Sequence, residues 1–144
     1  EVASALGSVL LSTAAFTAMW ALVVSFLRTN GAFSAVSTIV GTAVGFVAGA
    51  YIPLGLIPEA VRSTLSAFPF AQSTMLLRQS LAADSLSTLL GSSVSATDTL
   101  NEFYGIDLTA AGWAVPTWYA IGLLALVAIV FTVLAAVRVR RRIR

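Results

Sequence analysis

Cysteine, histidine and lysine are missing from this chain of 144 residues, and only six residues are acidic. Without thiols there is no disulfide staple, no Cys nucleophile and no report on the redox compartment. Without imidazole there is no Ser-His-Asp triad, and the usual zinc ligands are gone. No Gly-rich loop ends in Lys-Ser or Lys-Thr, so the chain has no phosphate-cradling motif of its own. Charged residues make up 10% of the chain, against about 25% in an ordinary soluble domain. What takes their place is apolar: 58% of residues are hydrophobic, and the mean hydropathy is +0.95. That balance puts the chain in the membrane class. The chain opens on Glu1, so a fragment or a processed product is expected. The first apolar stretch lacks the basic flank and cleavage site of a signal peptide.

Three stretches reach the roughly 20 apolar residues that a helix needs to cross a bilayer. They cover about residues 5–27, 31–57 and 110–137, and none contains Asp, Glu, Lys or Arg. Lipid offers no partners to backbone N–H and C=O groups, so the stretches are expected to be helices and not open strands. The absence of intramembrane charge argues against a proton relay or an ion-coupled carrier in this stretch of protein. The fold expected is therefore an all-α membrane domain of three transmembrane helices with short outer helices.

The segment 58–109 reads differently. Pro58, Arg62, Pro69, Arg78 and Asp84 interrupt it. Val61, Leu65 and Phe68 recur at helical spacing, as do Phe70, Leu77 and Leu81, and such faces suit short amphipathic helices at an interface. Ser85 to Ser95 is expected to be a loop. Thr99 and Glu102 have the form of a capping box, which places a helix start near Thr99.

Charge then orients the spans. Arg28 follows the first, and Arg138, Arg140, Arg141, Arg142 and Arg144 follow the third. Arg clusters mark the cytoplasmic side, so both ends belong inside and the acidic segment 58–109 outside. These six Arg are topology anchors, and the tail 138–144 is compatible with anionic lipid headgroups without requiring nucleic acid. Tyr51, Trp113, Trp118 and Tyr119 fall at the outer ends of spans, where aromatic rings anchor at the interface.

The second span carries the most pattern. Ser37, Gly41, Gly45 and Gly49 recur every four residues and form one small-residue stripe, the signature of close helix packing in lipid. Thr38, Thr42 and Phe46 flank the stripe and are candidates for a substrate path, although Thr hydroxyls inside helices commonly bond their own backbone. Then comes IPLGLIP, residues 52–58. Pro53 and Pro58 bracket Gly55, so the helix is expected to break there and fold back.

The run FSAVSTIVGTAVGFVAGAYIPLGLIPEAVRSTLSAFPFAQSTMLLRQSL, residues 33–81, resembles the permeases of type-2 ABC exporters, the ABC-2 family. The resemblance lies in Ser34 and Ser37, Gly45-Phe46 and Gly49, the Pro53–Pro58 break, Pro69 and Arg78, taken in order and spacing. It implies a six-span permease of which this chain holds the last three spans and outer re-entrant helices. It also implies a homodimer or paired permease in a bacterial cytoplasmic membrane, a partner ATPase subunit that binds ATP-Mg, and no cofactor in this chain. Substrates in the family include drugs, antibiotics, lipids and polysaccharides. Pro53, Gly55 and Pro58 would line an outer gate. Two rivals need less: a membrane scaffold or assembly protein, and a membrane enzyme built on Asp98, Glu102 and Asp107.

Overall fold

Local chemistry sets most of the helix ends. The computed structural model describes the backbone of residues 2–49, 51–90, 94–110 and 112–143. Helix α1 covers Val2–Val24, α2 Asn30–Val47, α3 Glu59–Ser66, α4 Pro69–Leu90, α5 Val94–Tyr104 and α6 Thr117–Ile143, with a single 3-10 turn at Leu54–Leu56. Thr29 starts α2, its side chain accepting the Ala32 N–H, which satisfies one of the unpaired amides of a helix start. Pro58, Pro116 and Pro69 stand at or just before the starts of α3, α6 and α4, where a missing N–H costs nothing. Three helices, Val2–Val24, Asn30–Val47 and Thr117–Arg141, are long and apolar enough to cross a membrane. Little of them is covered by the rest of the chain: 17%, 0% and 17% of the respective apolar windows is buried.

Helices α1 and α6 pack along their lengths and run parallel. Near their starts, Ser4, Ser8, Thr117 and Ile121 border one cavity. Near their ends, the Arg138 guanidinium lies 3.9 Å above the Phe26 ring. Small residues make the close approach, with Ala15, Ala18, Ala120 and Ala135 buried, as expected where packing must replace a hydrophobic drive.

Helix α4 runs opposite to both and fills the angle between them. Phe70 stacks on Phe16 with centroids 5.0 Å apart. Ser73 Oγ donates to Ser12 Oγ at 2.7 Å, and Thr117 Oγ1 donates to Gln79 Oε1 at 3.1 Å. The start of α4 therefore lies level with the middle of α1, and its later turns rise past the beginnings of α1 and α6. Helix α3 leads down to that start. Its Arg62 pairs with Glu102 of α5 at 3.0 Å, and its last residue, Ser66, accepts from Gln72 Nε2 through its carbonyl at 3.3 Å. Together α3 and α4 form a hairpin that dips between the long helices and returns.

The core follows from this arrangement. Ala71, Met75 and Leu76 of α4 meet Ala15, Ala120 and Leu124, and the cluster continues to Leu54, Leu108 and Val115. Two short strands, β1 (Thr109–Ala110) and β2 (Trp113–Ala114), pair antiparallel in the link before α6, with Gly112 at φ 77° in the turn.

Several boundaries differ from the sequence expectation. Helix α2 stops at Val47 rather than near Ile57, because Gly49 adopts φ 68°, a left-handed conformation that ends a helix before any proline is reached. Helix α4 is 22 residues long and passes through 85–90, where the Ser-rich run suggested a loop; residues 91–93 lie outside the described residues. Helix α5 begins at Val94, which puts Thr99 inside it and not at its cap. Residues 112–116, expected within the third span, precede α6 as a turn, the strand β2 and Pro116. The segment 58–109 does not lie wholly beyond the long helices, since Phe70 and Ser73 reach the middle of α1.

Candidate functional site

Thr74 and Arg78 stand one turn apart on the same face of α4 and meet the end of α2. Thr74 Oγ1 lies 2.9 Å from the Ala48 carbonyl and 2.8 Å from that of Ala71, so its one proton is shared between them. Arg78 Nη2 donates to the Gly49 carbonyl at 2.7 Å, and Nη1 donates to the Tyr104 carbonyl. These acceptors lie at the ends of α2 and α5, where carbonyls lack intrahelical partners and the helix dipole is negative. A guanidinium suits both ends at once because its planar fork presents several donors in fixed directions. Burial draws the Arg78 pKa below its ordinary value, yet an Arg stays protonated at any physiological pH.

Leu54, 1% exposed, fills the space beneath this clamp. It touches the positions where side chains on Gly49 and Gly105 would begin, and Gly105 itself has φ 69°. Gly55 faces Phe103 of α5 with no room for a Cβ. The Pro53–Pro58 break is thus one 3-10 turn covered by α5, as non-helical backbone among apolar helices requires. Pro53 and Pro58 flank that turn without side-chain capping bonds.

The three glycines of the small-residue stripe have three different surroundings. Gly41 has open space where a Cβ would stand, Gly45 is covered by the Tyr51 ring, and Gly49 forms the turn. Ser37 Oγ is buried without a hydrogen-bond partner. No other described helix of this chain lies close enough to meet a Cβ added at Gly41. Thr38 and Thr42 donate to the carbonyls four residues back, Ser34 and Thr38, at 3.1 and 3.0 Å. Phe46 meets Tyr51 edge-on at 5.2 Å, so Tyr51 folds back on α2 while remaining largely exposed. Trp113, Trp118 and Tyr119 gather at the start of α6, with Tyr119 edge-on to both Trp rings. Arg28, Arg138, Arg140 and Arg141 are exposed. The side chain of Arg142 and the whole of Arg144 lie outside the described residues. Asp98 and Asp107 are exposed, and Glu102 pairs with Arg62.

Two of the cavities among the described helices border α4 or α2. One, of about 480 Å³, has a polar edge of Ser4, Ser8, Gln79, Ser80 and Thr117 between the starts of α1 and α6 and the rising half of α4. The other, of about 470 Å³, is an apolar groove between α1 and α2. At the bottom of the α3–α4 hairpin, Ser66 and Gln72 are fully buried, and neither Ser66 Oγ nor Gln72 Oε1 has a partner. Among the described residues no group of His, Cys, Asp or Glu is placed to hold a metal ion.

No protein-family model matches this chain, and no curated protein or solved structure matches it.

The clamp is not legible in the sequence pattern, where Arg78 reads as an interruption and as part of a family pattern and Thr74 carries no signal by itself. The available signal was an Arg isolated in an otherwise apolar stretch with Thr four residues before it, which puts two donors on one helix face. The Ser12–Ser73 bond joins residues 61 apart, and nothing local announces it.

Proposed function

We propose that this chain is the second half of the membrane domain of an ABC-2-type exporter, moving a small hydrophobic or lipid-like substrate out of a bacterial cell. The observation that carries the reading is the order of elements. Two apolar helices come first, then a proline-bracketed break, then a hairpin that dips between the helices, then a last apolar helix with a basic end. The resemblance of residues 33–81 to that family calls for the same order.

In this reading α1, α2 and α6 cross the cytoplasmic membrane, with Arg28 and the Arg138–Arg144 tail inside. The hairpin of α3 and α4 enters from outside and turns near mid-bilayer. ATP-Mg binds to a partner ATPase, whose closure is transmitted to a pair of permeases. The 3-10 turn at Leu54–Leu56 then acts as the outer gate, covered by α5 and lying beside the Arg78 clamp that ties α4 to the ends of α2 and α5. Movement of α2 releases Gly49 from the clamp and opens the outer side. Thr38, Thr42 and Phe46 on the exposed face of α2 line the path.

Purification of the complete protein from its native membrane, followed by mass spectrometry, tests this. A stoichiometric partner or fused domain with a P-loop, whose ATP hydrolysis rises with substrate, is expected. A crosslinked preparation free of any ATPase would overturn the exporter reading and leave a membrane scaffold.

A further inference from the structure

An apolar groove of about 470 Å³ lies between α1 and α2, with Phe70 of α4 at its edge. Phe16, Trp20 and Val23 line one wall and Val40 and Val44 the other. The Trp20 ring meets Phe33 across the groove at 6.2 Å, which brings the two walls together near the loop. Groove walls of this kind are open to lipid tails along one side, because α2 has no buried residue.

The loop that joins the two groove helices is basic. Arg28 is exposed in the joining loop, and Arg138 is held beside the same loop by its contact with Phe26 at 3.9 Å. Arg140 and Arg141 follow on α6 and are also exposed. All six acidic residues are at positions 1, 59, 84, 98, 102 and 107, so none lies in the joining loop or the tail. An apolar groove with two exposed cations at its joining loop matches one molecule in a membrane: a phospholipid with an anionic headgroup. Basic sites between transmembrane helices commonly hold such headgroups, and a guanidinium offers the fork geometry that phosphate oxygens accept.

We propose that the α1–α2 groove is a binding site for one anionic phospholipid, its acyl chain along Trp20 and Val40 and its phosphate at Arg28 and Arg138. The site needs only that α1 and α2 be embedded in a bilayer, and it stands whether or not the chain works with an ATPase.

Trp20 makes the site directly readable. The complete protein, with its other tryptophans replaced by Phe, is reconstituted into phosphatidylcholine vesicles. Increasing fractions of brominated phosphatidylglycerol or brominated phosphatidylcholine are then added, and Trp20 fluorescence is followed. Quenching by the anionic lipid is expected at about fivefold lower mole fraction for each Arg engaged. The double variant R28Q/R138Q, altered only on exposed side chains, should lose that preference while keeping its fluorescence maximum. The variant V40F should weaken quenching by both lipids. Equal quenching by the two headgroups would mean that Trp20 meets bulk lipid only and would overturn the proposal. Absence of quenching by either would mean that protein, a second copy or another segment, covers the groove, and would overturn it as well.

Discussion

Arg78 shows how much one side chain holds in place here. Its guanidinium satisfies carbonyls at the ends of two helices, and it lies against Gly105. Replacing it with Ala leaves two acceptors without their charged donor. A hydrogen bond to a charged group contributes about 1.5–3 kcal/mol, so R78A should lower the thermal midpoint in detergent far more than T74V, which removes a shared neutral bond. Equal shifts for the two variants would show that the clamp is not the main tie. Gly105 is the second sensitive position. Its φ of 69° disfavours any side chain, and a Cβ there would press on Leu54 and Arg78. A left-handed non-glycine residue costs about 1–2 kcal/mol, and G105A should destabilise by at least that amount in a denaturation series. The buried Ser12–Ser73 bond is weaker. Side-chain bonds between membrane helices average about 0.6 kcal/mol and reach about 1.7, and a double-mutant cycle of S12A and S73A should return a coupling in that range.

At the scale of elements, α2 is the exception among the long helices. It has no buried residue, and its ties to the rest of the chain are concentrated at its ends, in the Trp20–Phe33 contact and the Thr74–Arg78 clamp. A helix held at its ends with a bare middle is suited to pivoting. Within the stripe, Gly45 is reserved for Tyr51, which leaves no space for a side chain. Because the Tyr51 ring is largely exposed and can swing aside, the cost falls below the roughly 1–3 kcal/mol of overpacking a closed core. G45L should therefore destabilise the chain, and the added substitution Tyr51→Ala should restore much of the loss. If Y51A brings no recovery, the constraint on Gly45 comes from a partner outside this chain. The α3–α4 hairpin is the other distinctive element. Its turn buries Ser66 and Gln72 among apolar helices, where polar atoms without partners are costly.

At the scale of the whole molecule, the asymmetry is in charge. One end carries Arg28 and the basic end of α6, and the other carries the acidic residues of the segment 58–109. The proposed orientation predicts opposite accessibility for the two ends. The chain has no native cysteine, so single cysteines report cleanly. With a membrane-impermeant maleimide on intact cells, D98C should be labelled and R140C only after permeabilisation. The reverse pattern would invert the topology and remove the outer-gate reading.

How much of this was legible in the sequence follows from the range of the forces involved. Length and apolarity alone placed three long helices, because exposing about 20 apolar residues to water is prohibitive and a helix is the local way to pair their backbones. The charge asymmetry needed nothing more than counting. Helix ends were less legible: α2 ends at Gly49 because a left-handed glycine acts before Pro53 does, and α4 runs on through a Ser-rich stretch that composition marked as loop. Tertiary contacts set the rest. Arg78 reaches carbonyls 26 and 29 residues away, Ser12 meets Ser73, and Trp20 faces a groove closed by a helix that follows it. Periodicity records which face of a helix is apolar, but not which other segment will stand against it. That choice depends on shape and on the satisfaction of buried polar groups, and both exist only once the chain has folded.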